Sequence, residues 1–193
     1  MPHISYQNRE IAFKLVYYGP GMSGKTTNLI QIHKSLPKDL RGEMLNLDTE
    51  EERTLFFDFF PLELGNVEGY AVRFNMYTVP GQVYYEASRR LILQGADGVV
   101  FVADSQPQRF DENLESFHSM SENLRDFGID FERYPLALQY NKRDCVDPIP
   151  IGSLEKELGL NGVPVVEAVA NQGKGVMETI RNLSRDVVQR FQL

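Results

Sequence analysis

Eight residues near the amino terminus, Gly19-Pro20-Gly21-Met22-Ser23-Gly24-Lys25-Thr26, set backbone freedom, an ammonium group and a hydroxyl in the order G-x-x-x-x-G-K-T. That order suits a polyphosphate. Glycines let the main chain come close to an anion, and the N–H groups of such a turn, those of Met22, Ser23 and Gly24 among them, converge on it. Lys25 is placed to reach the β- and γ-phosphates and the Thr26 hydroxyl to take a site on Mg²⁺, with Gly19, Gly21 and Thr27 completing the cradle. A second group, Asn141-Lys142-Arg143-Asp144, has the form N-K-x-D. A carboxylate such as Asp144 accepts from both N1–H and N2–H₂ of guanine, whereas adenine sets its own N1 acceptor against it. In a third group, Thr78-Val79-Pro80-Gly81-Gln82, the Gly81 N–H is available to a γ-phosphate and Gln82 can orient an attacking water. Gly21 enters the same chemistry by lacking a side chain that would fill the space between Gln82, the water and the phosphate.

Elements of the right kind flank each group. Residues 11–18 are mostly apolar and β-prone, which predicts a buried strand feeding the first loop. Residues 27–36 hold no Gly or Pro and set Leu29, Ile32, His33 and Leu36 on one helical face. Residues 37–52 are polar without clear periodicity and predict a long surface segment. Strands are expected over 54–60 and 70–79, antiparallel to each other because only a turn over 61–69 joins them. Helices over 84–94, 111–127, 151–158 and 176–191 alternate with strands over 98–103, 136–140 and 163–167, and a short edge strand is expected over 4–6. The pattern predicts a single α/β domain over residues 1–193 of the P-loop type. Its sheet is six-stranded, doubly wound and mostly parallel with one antiparallel strand, and helices cover both faces. Residues 55–60 are apolar on both faces, so the pattern alone leaves their register weakly pinned. A fixed strand and a strand that slides by two residues, carrying Arg53, Thr54 and Asp58 with it, both remain open.

Composition narrows the partners. A net charge of −7 over 193 residues argues against nonspecific binding to nucleic acid or to anionic membrane. The single cysteine, Cys145, excludes an internal disulfide and fits a reducing cytoplasm. Neither a signal peptide nor an apolar run of spanning length is present, and neither a myristoylation glycine nor a prenylation box, so no lipid anchor is expected. His33 and His118 fall on predicted helices and are expected to pack or face solvent.

Over residues 11–191 the chain resembles the Ras superfamily of small GTPases. The three groups above carry the resemblance, together with Val163-Pro164-Val165-Val166-Glu167 followed by Gly175-Val176. Tyr17-Tyr18-Gly19-Pro20-Gly21, Arg53-Thr54-Leu55-Phe56-Phe57-Asp58-Phe59 and Tyr77-Thr78-Val79-Pro80-Gly81-Gln82 are similar to the bacterial gliding and polarity GTPases known as mutual gliding protein A. The resemblance implies a Mg²⁺-dependent switch between GTP and GDP, slow without an activating partner. It also implies a role in front–rear polarity and motility with recruitment to a cell pole, motility effectors, and a roadblock-type, MglB-like homodimer as GTPase-activating protein. Two departures stand out. Thr78 replaces the aspartate of the superfamily's D-x-x-G, and Asp58 is either its substitute at the metal or a solvated strand residue. Val169-Ala170-Asn171 replaces S-A-K, which removes the lysine beside the purine and leaves the Ala170 N–H for guanine O6. Thr54 is preferred over Thr49 as the loop hydroxyl that reaches the metal. Arg53 either swings onto the γ-phosphoryl as a finger supplied in cis or pairs with Glu50 to Glu52. A nucleotide-binding scaffold without hydrolysis is the alternative function.

Overall fold

The computed structural model describes residues 2–47, 57–81 and 85–191. Its centre is a sheet whose order is β3-β4-β5-β2-β6-β7-β8, with β1 (His3–Ser5) beside the first half of β2 (Glu10–Tyr18). The remaining strands are β3 (Leu45–Leu47), β4 (Phe57–Val67), β5 (Tyr70–Thr78), β6 (Gly98–Asp104), β7 (Leu136–Asn141) and β8 (Val165–Glu167). Pairing is parallel from β5 through β2, β6 and β7 to β8. The short β1 and the long β4 run against the others. Strand β1 answers to the edge strand expected over 4–6, and the unexpected strand is β3, which lies inside the segment expected to be irregular.

Burial explains why the middle strands read as unbroken apolar runs. All seven residues of β6 are buried, because helices cover both faces of a parallel sheet. On one face pack α1 (Lys25–Ser35) and α5 (Val176–Arg190), through Leu29, Ile32, Val176, Ile180, Leu183 and Val187. On the other pack α2 (Glu86–Leu93), α3 (Phe110–Asp126) and α4 (Ser153–Leu158), through Ile92, Leu93, Phe117, Met120, Leu124 and Leu154. Each such side chain contributes about 1.5–3 kcal/mol by leaving water. His33 stacks edge-on against Phe60, donates from Nε2 to Gly42 O at 3.0 Å and accepts from Arg41 at Nδ1, so it packs as expected. His118 is exposed on α3.

The β4–β5 hairpin departs from the expected turn over 61–69. Strand β4 runs through Pro61 to Val67, and the turn is Glu68–Gly69 alone, both at positive φ (50° and 84°), the geometry of a tight hairpin that follows the strand twist. Pro61 is tolerated because of the edge it faces. Its carbonyl accepts the Gly42 N–H at 2.9 Å, and in an antiparallel strand the N–H and C=O of one residue point the same way. The missing donor therefore points away from β5, and no bond of that ladder is lost. The observed register pairs Phe59 with Tyr77 and Phe60 with Met76, and it slips once, between Glu63 and Asn66, at left-handed Gly65.

Candidate functional site

The parallel strands all end at one edge of the sheet, and the chemistry-bearing groups gather there. Strand β2 delivers Tyr18 into the glycine-rich loop, and α1 begins at Lys25. Two glycines are required by their surroundings. Gly19, at φ 145°, lies against the Val102 carbonyl, and Gly24, at φ 101°, lies against the Asn141 amide, so a Cβ at either would collide. Lys25 is buried and folds over the loop, donating from Nζ to Gly19 O at 2.9 Å and to Pro20 O at 2.7 Å. Burial, reinforced by the nearby Arg89 and Arg109 guanidinium groups and opposed by Asp58, pushes its ammonium down to about 7. Three cations thus stand at the loop, with Arg89 paired to Glu86 and Arg109 to Glu112.

Beside the loop, Asp58 at the start of β4 is buried and takes two hydroxyls on one carboxylate oxygen. Thr26 Oγ1 donates to Oδ2 at 2.6 Å and Thr78 Oγ1 donates to it at 3.0 Å. Thr78 Oγ1 also accepts the Asp58 backbone N–H at 2.8 Å. Asp58 is therefore not a solvated strand residue. Gly81 lies across from the loop, where a Cβ would stand 2.6 Å from Gly21 N and 2.9 Å from Lys25 Nζ.

At the other end, Asn141 ties three segments together. Its Nδ2 donates to Ser23 O at 2.7 Å, and its Oδ1 accepts the Ala170 N–H at 2.9 Å. Lys142 sits at φ 64°, a backbone region unfavourable for a side chain of its length, and donates from Nζ to Asp104 Oδ2 at 2.6 Å. Gly24, Thr27, Gln106, Asn141, Lys142, Asp144, Ala170 and Asn171 are among the residues that line a cleft of about 290 Å³. Asp144 is exposed there, with Gln172 Nε2 at 3.5 Å. A larger cleft of about 890 Å³ opens between the loop, α2 and α3, past Gly21, Gly81, Arg89 and Arg109.

Over 188 residues the chain is 47% identical to the mutual gliding-motility protein MglA of Myxococcus xanthus (strain DK1622), a match that covers 97% of this chain and 96% of that protein. The chain belongs to the MglA family of Ras-superfamily small GTPases. No protein-family model matches it.

In this MglA-family chain Gly21, Met22 and Gly81 line one cleft, and Met22, Gly24, Thr27, Asn141, Lys142, Asp144 and Ala170 line the other. Arg53, Thr54 and Gln82 lie outside the described residues. One expectation at the base end needs correcting. The Ala170 N–H, expected to face guanine O6, is taken by Asn141 Oδ1. The Val169 N–H pairs with Lys174 O at 3.1 Å in a small bridge that closes the turn. Sequence reasoning also passed over Asp104, Gln106, Arg89 and Arg109. Asp104 carried a signal, since it ends β6 at the edge where ligands of such sheets sit. The arginines carried none, because the packing of α2 and of the turn before α3, rather than a motif, brings them to the loop.

Proposed function

We propose that this protein is a small GTPase switch that binds GTP and GDP and hydrolyses GTP to GDP and phosphate, slowly when alone, in the control of cell polarity and gliding motility. The observation that carries the reading is the Asn141 side chain. By bonding Ser23 of the glycine-rich loop and Ala170 of the 169–171 turn, it brings a phosphate cradle and a carboxylate suited to guanine to the two ends of one site. Lys25 and the loop amides hold the phosphates, and Asp144 selects the base.

The oxygens at Thr26 and Asp58 fit Mg²⁺, which prefers hard oxygen donors and keeps most of its shell for phosphate and water. Among the described residues no group of three His, Cys, Asp or Glu gathers as a metal cage, and such an ion needs none. Mg²⁺, when bound, offsets the charge on the β- and γ-phosphates. Thr26 and Thr54 would hold it directly, with Asp58 standing in for the carboxylate that Thr78 displaces. Gln82 positions the water, and Arg53 is the candidate cation for the transferring phosphoryl group. Among the described residues no helix is long and apolar enough to cross a membrane. A roadblock-type activating homodimer and motility effectors are the partners proposed.

Competition for bound, labelled GDP tests the reading. GTP displaces it and ATP does not, and Asp144→Asn moves the preference towards xanthosine triphosphate, whose carbonyl accepts from the new amide. A mutant that still prefers GTP would put guanine recognition elsewhere.

A further inference from the structure

Arg109 joins the two ends of the site in a way that no motif announces. It closes the short 3₁₀ turn Pro107–Arg109 and immediately precedes α3. Its Nη2 donates to the Gly21 carbonyl at 2.6 Å, its Nη1 pairs with Glu112, and its Nε lies 3.8 Å from Asp104 Oδ2. The same Asp104 oxygen receives Lys142 Nζ at 2.6 Å, and the Asp104 side chain is 1% exposed. A buried carboxylate is thus shared between the lysine of N-K-x-D and the arginine on the phosphate loop.

We propose that Arg109 is a positioning residue for the phosphate loop, holding the Gly21–Met22 peptide so that the Met22 N–H faces the bound phosphates, and bracing that peptide through Asp104 against Lys142. The proposal rests on the guanine-nucleotide reading and adds a residue to it. Three observations carry it. Met22 stands at φ 62°, a left-handed conformation that a long side chain does not adopt unless held there. Its side chain is 88% exposed, so packing does not hold it. The guanidinium on the Gly21 carbonyl does, helped by the turn bond from Ser23 N–H to Pro20 O at 3.3 Å.

Geometry and polarisation then act in one direction. No peptide bond among the described residues is cis, so the Met22 N–H points opposite to the Gly21 C=O and away from Arg109. A cation on the carbonyl draws charge through the amide and makes that N–H a stronger donor. Arg109 therefore acts on the phosphates through the peptide and touches no reacting atom. Lysine cannot replace it fully, because reaching Gly21 O and Asp104 together takes the planar fork of the guanidinium.

The test uses the full chain loaded with GDP or GTP, as Arg109→Ala and Arg109→Lys. Arg109→Ala is expected to release GDP on the order of tenfold faster and to slow single-turnover GTP hydrolysis by about tenfold, less than the direct loss of a donor to the phosphate. It is also expected to shift the ³¹P resonance of the GDP β-phosphate, which a loss of fold stability alone leaves in place. Arg109→Lys should fall between wild type and Arg109→Ala on all three. If Arg109→Ala does not fold, Arg109→Gln, neutral and of similar reach, takes its place with the same expected changes. GDP release and hydrolysis within twofold of wild type, with an unmoved β-phosphate resonance, would overturn the proposal while leaving the function intact. A wild-type chain that binds no guanine nucleotide would overturn the function and this role together.

Discussion

Gly21 is the position at which a side chain changes the chemistry more than the fold. It is not among the glycines at positive φ, and a Cβ on it would meet Gly81 O at 3.6 Å, an ordinary contact. Gly21→Val is therefore expected to fold and to keep GDP. Its γ-carbons would occupy the space the water and Gln82 need, and a misplacement of about 1 Å costs on the order of 100-fold in rate. Single-turnover hydrolysis checks this; a mutant at the wild-type rate would show that the loop does not face the γ-phosphate. Lys25 gives the same site a pH dependence. Burial and two arginines lower its folded pKa to about 7, and a bound anion favours the charged form, so binding above pH 7 takes up a proton. GDP affinity without divalent cations should fall by at most about tenfold per pH unit between pH 7 and pH 9. Calorimetry at several pH values decides it, and a flat profile over that range would mean that Lys25 stays charged in the empty site.

At the scale of elements, the strand pair β4–β5 is where sequence and structure part most. Apolar residues on both faces of residues 55–60 left two registers open, and the structure has Phe59 opposite Tyr77. Polar atoms hold that pairing. Thr78 Oγ1 accepts from the Asp58 N–H and donates to its carboxylate, and both residues are buried, so a slide by two residues would leave both groups without those partners. Thr78→Val keeps the shape and removes both bonds, and it should lower stability by about 1–3 kcal/mol in urea unfolding. A change within a few tenths of a kcal/mol would mean that packing alone sets the register. Asp58 was legible as a candidate substitute for the aspartate that Thr78 replaces; the register that sets the two side chains against each other was not, because it lies in the pairing of two strands. Strand β3 was hidden for a related reason: its three residues have too short a period to register, and they are a strand only because β4 offers an edge. Local signals were legible where one element suffices, as in the strand, loop and helix around Gly19 to Thr26.

At the scale of the molecule, the doubly wound sheet explains why groups distant in the chain share one site. Thr78, Asp104 and Asn141 end three parallel strands at the same edge, and β4, running the other way, brings its first residues there as well. The alternation of strands and helices made this architecture legible, and with it the meeting of the loop with N-K-x-D. It did not show which residues of α2 and of the turn before α3 look onto the loop, so Arg89 and Arg109 stayed invisible, nor that Asn141 would claim the Ala170 N–H. The central claim is a Mg²⁺-dependent GTPase whose metal shell is rebuilt around Asp58. Single-turnover phosphate release from bound GTP, with Mg²⁺ present and with it chelated, tests that claim most directly. The account predicts one equivalent of phosphate in Mg²⁺ and almost none with the metal removed. No release in either condition, or equal release in both, would contradict it.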